Sequence, residues 1–170
     1  MRFKKLSPEV LVTESDVTVI SGKNIETIKH MALSSPLGRA RICAHSSSDE
    51  LLHEMLIVLA KDGYIAPHKH LEKSESFHMI EGAMDVIIFN ENGKVERKIE
   101  LSAQNTEGLP FYYRLAKPLF HTVIPKTKVV VFHETTNGPF RREDTIYAEW
   151  APAEDDEYPV QEAFITQILQ

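Results

Sequence analysis

From Arg39 to about Glu134 the chain runs in short apolar or alternating segments divided by turn signals, and that pattern predicts strands. Arg41–His45 (RICAH) reads as a short strand and His53–Ala60 (HEMLIVLA) as a buried one. A turn at Lys61–Gly63 leads to strands at Tyr64–His70 and Glu75–Glu81, and Met84–Phe89 (MDVIIF) follows directly after Gly82. Asn90–Gly93 (NENG) is a hairpin signal centred on Asn92-Gly93. Val95–Leu101 alternates as a half-exposed strand, and Ser102–Gly108 is a polar loop. Three more strands are expected at Phe111–Leu115, Phe120–Ile124 and Lys128–Glu134. Many short strands at regular spacing favour a sandwich or barrel over a parallel α/β sheet.

The flanks follow other patterns. Asp16–Ile20 (DVTVI) alternates and reads as a short strand. Asn24–Leu33 has Ile25, Ile28, Met31 and Ala32 at helical spacing, with Asn24 as N-cap and the SSPLG cluster as its end. Beyond Asn137-Gly138-Pro139, YAEWAPAE looks like a packed extended tail and AEDDEY like a solvated acidic stretch. Pro159–Leu169 is expected to be a helix with Val160, Phe164, Ile168 and Leu169 on one side. The chain thus divides into an N-terminal strand and helix (1–38), a β-barrel (39–154) and a tail (155–170), one domain in all.

A length of 170 residues, 42% hydrophobic and 26% charged, is ordinary for one soluble globular domain. A net charge of -6 argues against nucleic acid as a partner, and no basic block invites anionic lipid. No apolar run approaches the roughly 18 residues of a membrane span, and MRFKKLSPEV lacks the apolar stretch of a secretion signal. The expected location is the cytoplasm. The single cysteine, Cys43, has no internal disulfide partner and reads as a small packing thiol.

The chemistry concentrates in GYIAPHKHLEKSESFHMIEG, Gly63 to Gly82. Residues two apart on a strand share a face, so His68 and His70 project side by side, and Glu75 returns to them from the next strand. His121, in the apolar run LFHTVIP, supplies a fourth ligand if its strand packs beside them. Three imidazoles and a carboxylate suit one divalent first-row metal: iron, zinc, manganese or nickel. His78 lies three residues from Glu75 and so faces away, and His53 reads as a surface residue at a strand start.

Gly63, His68, His70, Glu75 and Gly82 resemble the first motif of the cupin superfamily, with one residue fewer between glycine and first histidine. His121 matches the histidine of the second motif, whose turn here reads Ala116-Lys117-Pro118 and whose asparagine is replaced by Pro125. The chain is most similar to the WbuC-type cupin metalloproteins, which are associated with bacterial O-antigen gene clusters. Arg41–His45, HETTNGPF (His133–Phe140) and YAEWAPAE (Tyr147–Glu154) carry that likeness. The resemblance implies a cupin-type double-stranded β-helix, a jelly-roll barrel, and supplies no established reaction.

Further expectations follow for the site. With a divalent metal it has net charge +1 and accepts an anionic oxygen. His45 is the candidate acid or base by resemblance, Arg41 the grip for a phosphate or carboxylate, and Tyr64 and Glu134 line the pocket. The expected ligand is a small, anionic, carbohydrate-derived molecule. The chain reads either as a metal-dependent isomerase, epimerase or oxygenase of surface-polysaccharide metabolism, or as a metal-containing module that binds a ligand without turnover. A homodimer is expected from the extra terminal segments and an open sheet edge.

Overall fold

The computed structural model describes residues 3–103 and 108–170, so the loop expected at Ser102–Gly108 falls largely outside the described residues. In chain order the strands are β1 (Phe3–Ser7), β2 (Val10–Thr13), β3 (Arg39–Cys43), β4 (Leu52–Ala60), β5 (His68–His70), β6 (Glu75–Glu81), β7 (Ala83–Phe89), β8 (Val95–Ser102), β9 (Tyr112–Leu115), β10 (Phe120–Pro125), β11 (Val129–Asn137) and β12 (Thr145–Tyr147). Helix α1 spans Gly22–Ser34 and α2 spans Tyr158–Ile168. One sheet runs β1-β2-β3-β4-β11-β6-β9 and the other β12-β5-β10-β7-β8. Among the described residues β2 and β3 pair in parallel; the other ladders are antiparallel. Among the described residues no helix is long and apolar enough to cross a membrane.

Alternation decides which side chains fill the space between the sheets. Met84, Val86 and Ile88 of β7 meet Leu59, Phe77, Val130 and Phe132 there. The intervening Ile87 and Phe89 turn outward, onto Phe120, Ile124, Trp150 and Phe164. MDVIIF is therefore nearly all apolar because both its faces are covered. HEMLIVLA behaves likewise: Leu59 points inward, while Val58 joins Ala40, Ile42 and Val131 beneath Ile28 and Ala32 of α1. Gly82 links β6 to β7 at φ 78, a left-handed conformation that favours glycine.

Several boundaries differ from the sequence reading. Asp16–Ile20 is not a strand: Val17 and Val19 are exposed, and the N-terminal strands are β1 and β2. Both are short and carry no turn signal strong enough to mark them. Helix α1 starts earlier, with Ser21 as its N-cap; Asn24 sits at the third helical position and accepts the Ser21 N–H at 2.9 Å. Pro67 removes a ladder donor, and the expected strand from Tyr64 shortens to His68–His70. His53 is buried rather than at the surface, because its side of β4 faces the interior. In α2, Phe164, Ile165 and Ile168 pack, whereas Val160 and Leu169 are exposed.

The C-terminal segment is fastened to the barrel at several points. Trp150 packs on Phe89 and Phe120 and donates from Nε1 to the Glu91 carbonyl at 3.1 Å. The Tyr64 hydroxyl donates to the Pro152 carbonyl at 2.8 Å. Glu154 is not solvated: it accepts two bonds from Arg39, at 2.8 and 2.6 Å. Burial alone raises the Glu154 carboxyl, but Arg39 more than offsets this and holds it below the usual carboxylate range. A depressed folded value stabilises the protein above the unfolded pKa of about 4.3 and loses that contribution as pH falls through the folded value. Glu154→Gln is thus expected to cost about 1 kcal/mol near pH 7. The difference from wild type should close as acid protonates Glu154, which urea titrations at several pH values will check.

Candidate metal centre

The central pairing is His121 on β10 opposite His68 on β5. His70 lies on the same face of β5, and the three imidazoles offer ligand nitrogens within 4.8 Å of one another. The ring centroids are 4.6 Å apart for His68–His121, 5.0 Å for His68–His70 and 6.0 Å for His70–His121. Glu75, at the start of β6 on the facing sheet, reaches toward them. Its Oε1 is 2.8 Å from His121 Nε2 and its Oε2 is 3.6 Å from His70 Nε2.

The hydrogen bonds behind the rings decide which nitrogen is free. His68 Nδ1 faces the Ala66 carbonyl at 2.9 Å and His121 Nδ1 the Leu119 carbonyl at 3.0 Å. A carbonyl only accepts, so both Nδ1 atoms carry a proton, and each Nε2 offers a lone pair when its ring is neutral. His70 Nδ1 lies 3.0 Å from the Thr145 hydroxyl. Among the described residues the buried Glu75 Oε1 has no well-formed hydrogen bond despite its closeness to His121. A lone-pair nitrogen and an orphaned carboxylate oxygen at this separation suit neighbours around one cation. The donor set therefore fits a first-row divalent metal.

Burial drives His68 down to about 4, with His121 adding to the effect, and it lowers His70 as well. Both are neutral near pH 7, as ligands must be. Burial alone would raise Glu75, but the imidazoles, His121 foremost, keep it below the ordinary range. Burial alone would lower His121, but Glu75 keeps it raised.

Beside this cluster lies a cavity of about 740 Å³. Arg41, His45 and Glu134 line it. Tyr64 does not: the strand that would have aligned it with His68 is absent, and its hydroxyl is bound to Pro152. Glu134 faces inward on β11 with Phe132 and Thr136, and Thr136 pairs with Glu75. Burial and then the nearby Glu75 push the Glu134 carboxyl up to about 8. His45 stacks on His53 with centroids 4.1 Å apart, and its Nδ1 lies 3.2 Å from both the nitrogen and the oxygen of the Glu54 backbone. Burial, then His53, lowers the His45 pKa.

Three further residues belong to the site. Lys73 lines the cavity, makes no ion pair among the described residues and lies over the Phe140 ring at 5.3 Å. Nothing in LEKSES distinguishes it from a solvated lysine. His53 lines the cavity from β4, and period-two alternation from Met55 could have placed it inside. Thr145 follows Gly138-Pro139, where the periodic pattern fades. Thr145→Val removes the hydroxyl partner of His70 and should weaken metal binding roughly tenfold to a hundredfold. Competition with a chromophoric chelator will measure it.

Two facing sheets with the histidines on the inner strands of one and Glu75 on the other complete the architecture. The fold is a cupin-type jelly roll. A family model described as "Domain of unknown function (DUF6016)" matches residues 20–101. No curated protein matches the chain. The structure is similar to that of protein SO0799 from Shewanella oneidensis, 11% identical, over 72% of this chain and 82% of that one, with TM-score 0.56. It is also similar to oxalate decarboxylase of Bacillus subtilis, a protein described with Mn(II) centres, at 14% identity and TM-score 0.45; that match covers 58% of this chain and 24% of that one. A third similar structure is an HTH_3 family transcriptional regulator from Vibrio cholerae, 20% identical over 60% of this chain and 52% of that one, with TM-score 0.43. Likeness at these identities speaks to fold alone.

Proposed function

We propose that this chain is a single-metal enzyme holding its ion through His68, His70, Glu75 and His121. Its substrate is a small anionic oxo compound, and the reaction is an isomerisation or epimerisation at the carbon beside the carbonyl. The observation that supports turnover is Glu134. It is an ionisable side chain outside the ligand set, and it faces the cavity one inward position from the residue paired with Glu75. A bound divalent ion supplies Lewis-acid polarisation of a carbonyl. Lys73 and Arg41 attract the anion, the apolar wall excludes water, and Glu134 takes and returns the proton. His45, neutral near pH 7 and already engaged with the Glu54 backbone, orients rather than transfers. The likeness to proteins of O-antigen clusters supports a carbohydrate-derived acid of surface-polysaccharide metabolism as one source of that anion. A homodimer is proposed as well, through the open edge at β9, where Phe111 and Tyr112 are exposed; light scattering should give twice the 19.4 kDa chain mass.

The test is solvent-deuterium exchange at the carbon beside the carbonyl of short α-oxo acids, followed by proton NMR on metal-loaded protein. Glu134→Gln is expected to keep its metal and lose exchange by about a hundredfold or more. Equal exchange in the two proteins, or none in the wild type, would favour a binding module without turnover.

A further inference from the structure

The wall between the metal ligands and Arg41 carries hydrogen-bonding groups that the protein itself leaves unmatched. The register sets their places. Glu75 pairs with Thr136 and Thr136 with His53, so His53 stands on the same rung as the metal ligand, two strands away. On the next inward rung Glu134 pairs with Met55 and Met55 with Cys43. Arg41 follows one rung further on β3, three strands from β6. At about 4.8 Å per strand its backbone lies roughly 14 Å across the sheet from β6. His45, just beyond the end of β3, stacks on His53. His53, Glu134, Arg41 and His45 all line the cavity.

These groups differ from the threonines of the same wall, whose hydroxyls are engaged. Thr122 Oγ1 donates to the Ile65 carbonyl at 2.5 Å and Thr136 Oγ1 to the Ser74 carbonyl at 3.0 Å. Glu134 forms no side-chain hydrogen bond or ion pair among the described residues. The His53 ring forms none there either, and its Nε2 is buried. His45 meets the Glu54 backbone through Nδ1, which leaves Nε2 for another partner. Arg41 makes no ion pair among the described residues, whereas Arg39 is bound by Glu154. Besides burial, the Arg41 charge bears on Cys43, His45 and Glu134 alike, so the guanidinium sits among them.

An apolar chain laid over this wall would displace water from these groups and offer no partner in return. Each buried polar group left unmatched weakens binding by roughly tenfold. A hydroxyl both donates and accepts, so it matches an imidazole or a carboxyl in either protonation state. A guanidinium only donates, and its best partner is an oxyanion. We infer that the ligand of this site is a polyhydroxylated oxo compound with an anionic end: its carbonyl lies at the metal ligands, hydroxyls along its chain meet Glu134, His53 and His45, and a carboxylate or phosphate meets Arg41. This rests on the metal-enzyme reading and narrows its substrate. The cavity of about 740 Å³ is within the range that encloses ligands of this size.

The experiment is calorimetric titration of metal-loaded protein with a matched set of six-carbon compounds. 5-Oxogluconate carries carbonyl, hydroxyls and a far carboxylate, and 5-oxohexanoate lacks only the hydroxyls. Fructose 6-phosphate replaces the carboxylate by phosphate, and fructose has no anion. 5-Oxogluconate is expected to bind about tenfold or more tighter than 5-oxohexanoate. His45→Phe, which keeps a ring stacked on His53, should reduce that advantage severalfold. The better of the two hydroxylated anions should exceed fructose by about tenfold or more, and Arg41→Gln should erase that preference alone. Which anion is the better tells carboxylate from phosphate. Both variants should keep a full equivalent of metal, which shows them folded. Equal binding of 5-oxohexanoate and 5-oxogluconate overturns the inference and leaves the metal-enzyme reading standing. A hydroxyl advantage untouched in His45→Phe, or an anion preference untouched in Arg41→Gln, does the same. If none of the set binds while short α-oxo acids still exchange, the inference falls alone; if exchange is absent too, the metal-enzyme reading falls with it.

Discussion

His121→Ala is expected to leave the protein with less than a tenth of an equivalent of metal and to destabilise the metal-free fold. His121 is 2% exposed, and its Nε2 is the nearest polar atom to a Glu75 oxygen that otherwise has no partner. Removing the imidazole deletes one ligand and leaves a buried carboxylate without its closest positive partner. Breaking a buried pair from one side costs about 3–5 kcal/mol. Elemental analysis and thermal unfolding of the chelated protein measure the two effects separately. His78→Ala is the control: it lies on the exposed face of the strand that carries Glu75, against Phe111, and should alter neither. A His121→Ala protein that keeps a full equivalent of metal would sink the centre described here.

The placing of His68 beside His70 was legible because it depends on one rule of local geometry. Period two along a strand puts His68 beside His70 and excludes His78, and that rule holds wherever the segment is extended. His121 needed a long-range pairing, which spacing alone leaves open and the cupin resemblance supplied. Where the rule failed, a local feature had broken the strand: Pro67 stops the ladder short of Tyr64, so Tyr64 leaves the shared face and binds the tail instead. His53 was misread for the opposite reason. A polar residue at the start of an apolar run looks solvated, yet its rung partner Thr136 pairs in turn with Glu75, so it faces the cavity. The strands β1 and β2 escaped notice because FKKLS and VLVT are short and lack alternation; they are strands because β3 offers an edge to pair with.

The tail motif YAEWAPAE was recognised as a pattern, and its physical purpose appears only in three dimensions. Trp150→Ala is expected to destabilise the protein by about 3 kcal/mol or more, in keeping with the loss of a large packed aromatic. For a chain of this size that corresponds to a melting temperature roughly 6–12 °C lower. The indole sits among Phe89, Phe120 and Phe164 and covers Gly93, where a Cβ would come within 2.7 Å of its ring atoms. Gly93 also has φ 81, so Gly93→Ala should disturb the same contact from the other side. The consequences reach the metal because the tail continues from β12, whose Thr145 pairs with His70 and whose hydroxyl faces the His70 ring. Loosening Trp150 frees β12 to separate from β5 and deprives His70 of its orienting partner. Metal affinity in Trp150→Ala should therefore fall together with stability, although the indole is no ligand. Unchanged affinity in a destabilised Trp150→Ala protein would mean that β12 holds His70 without help from the tail.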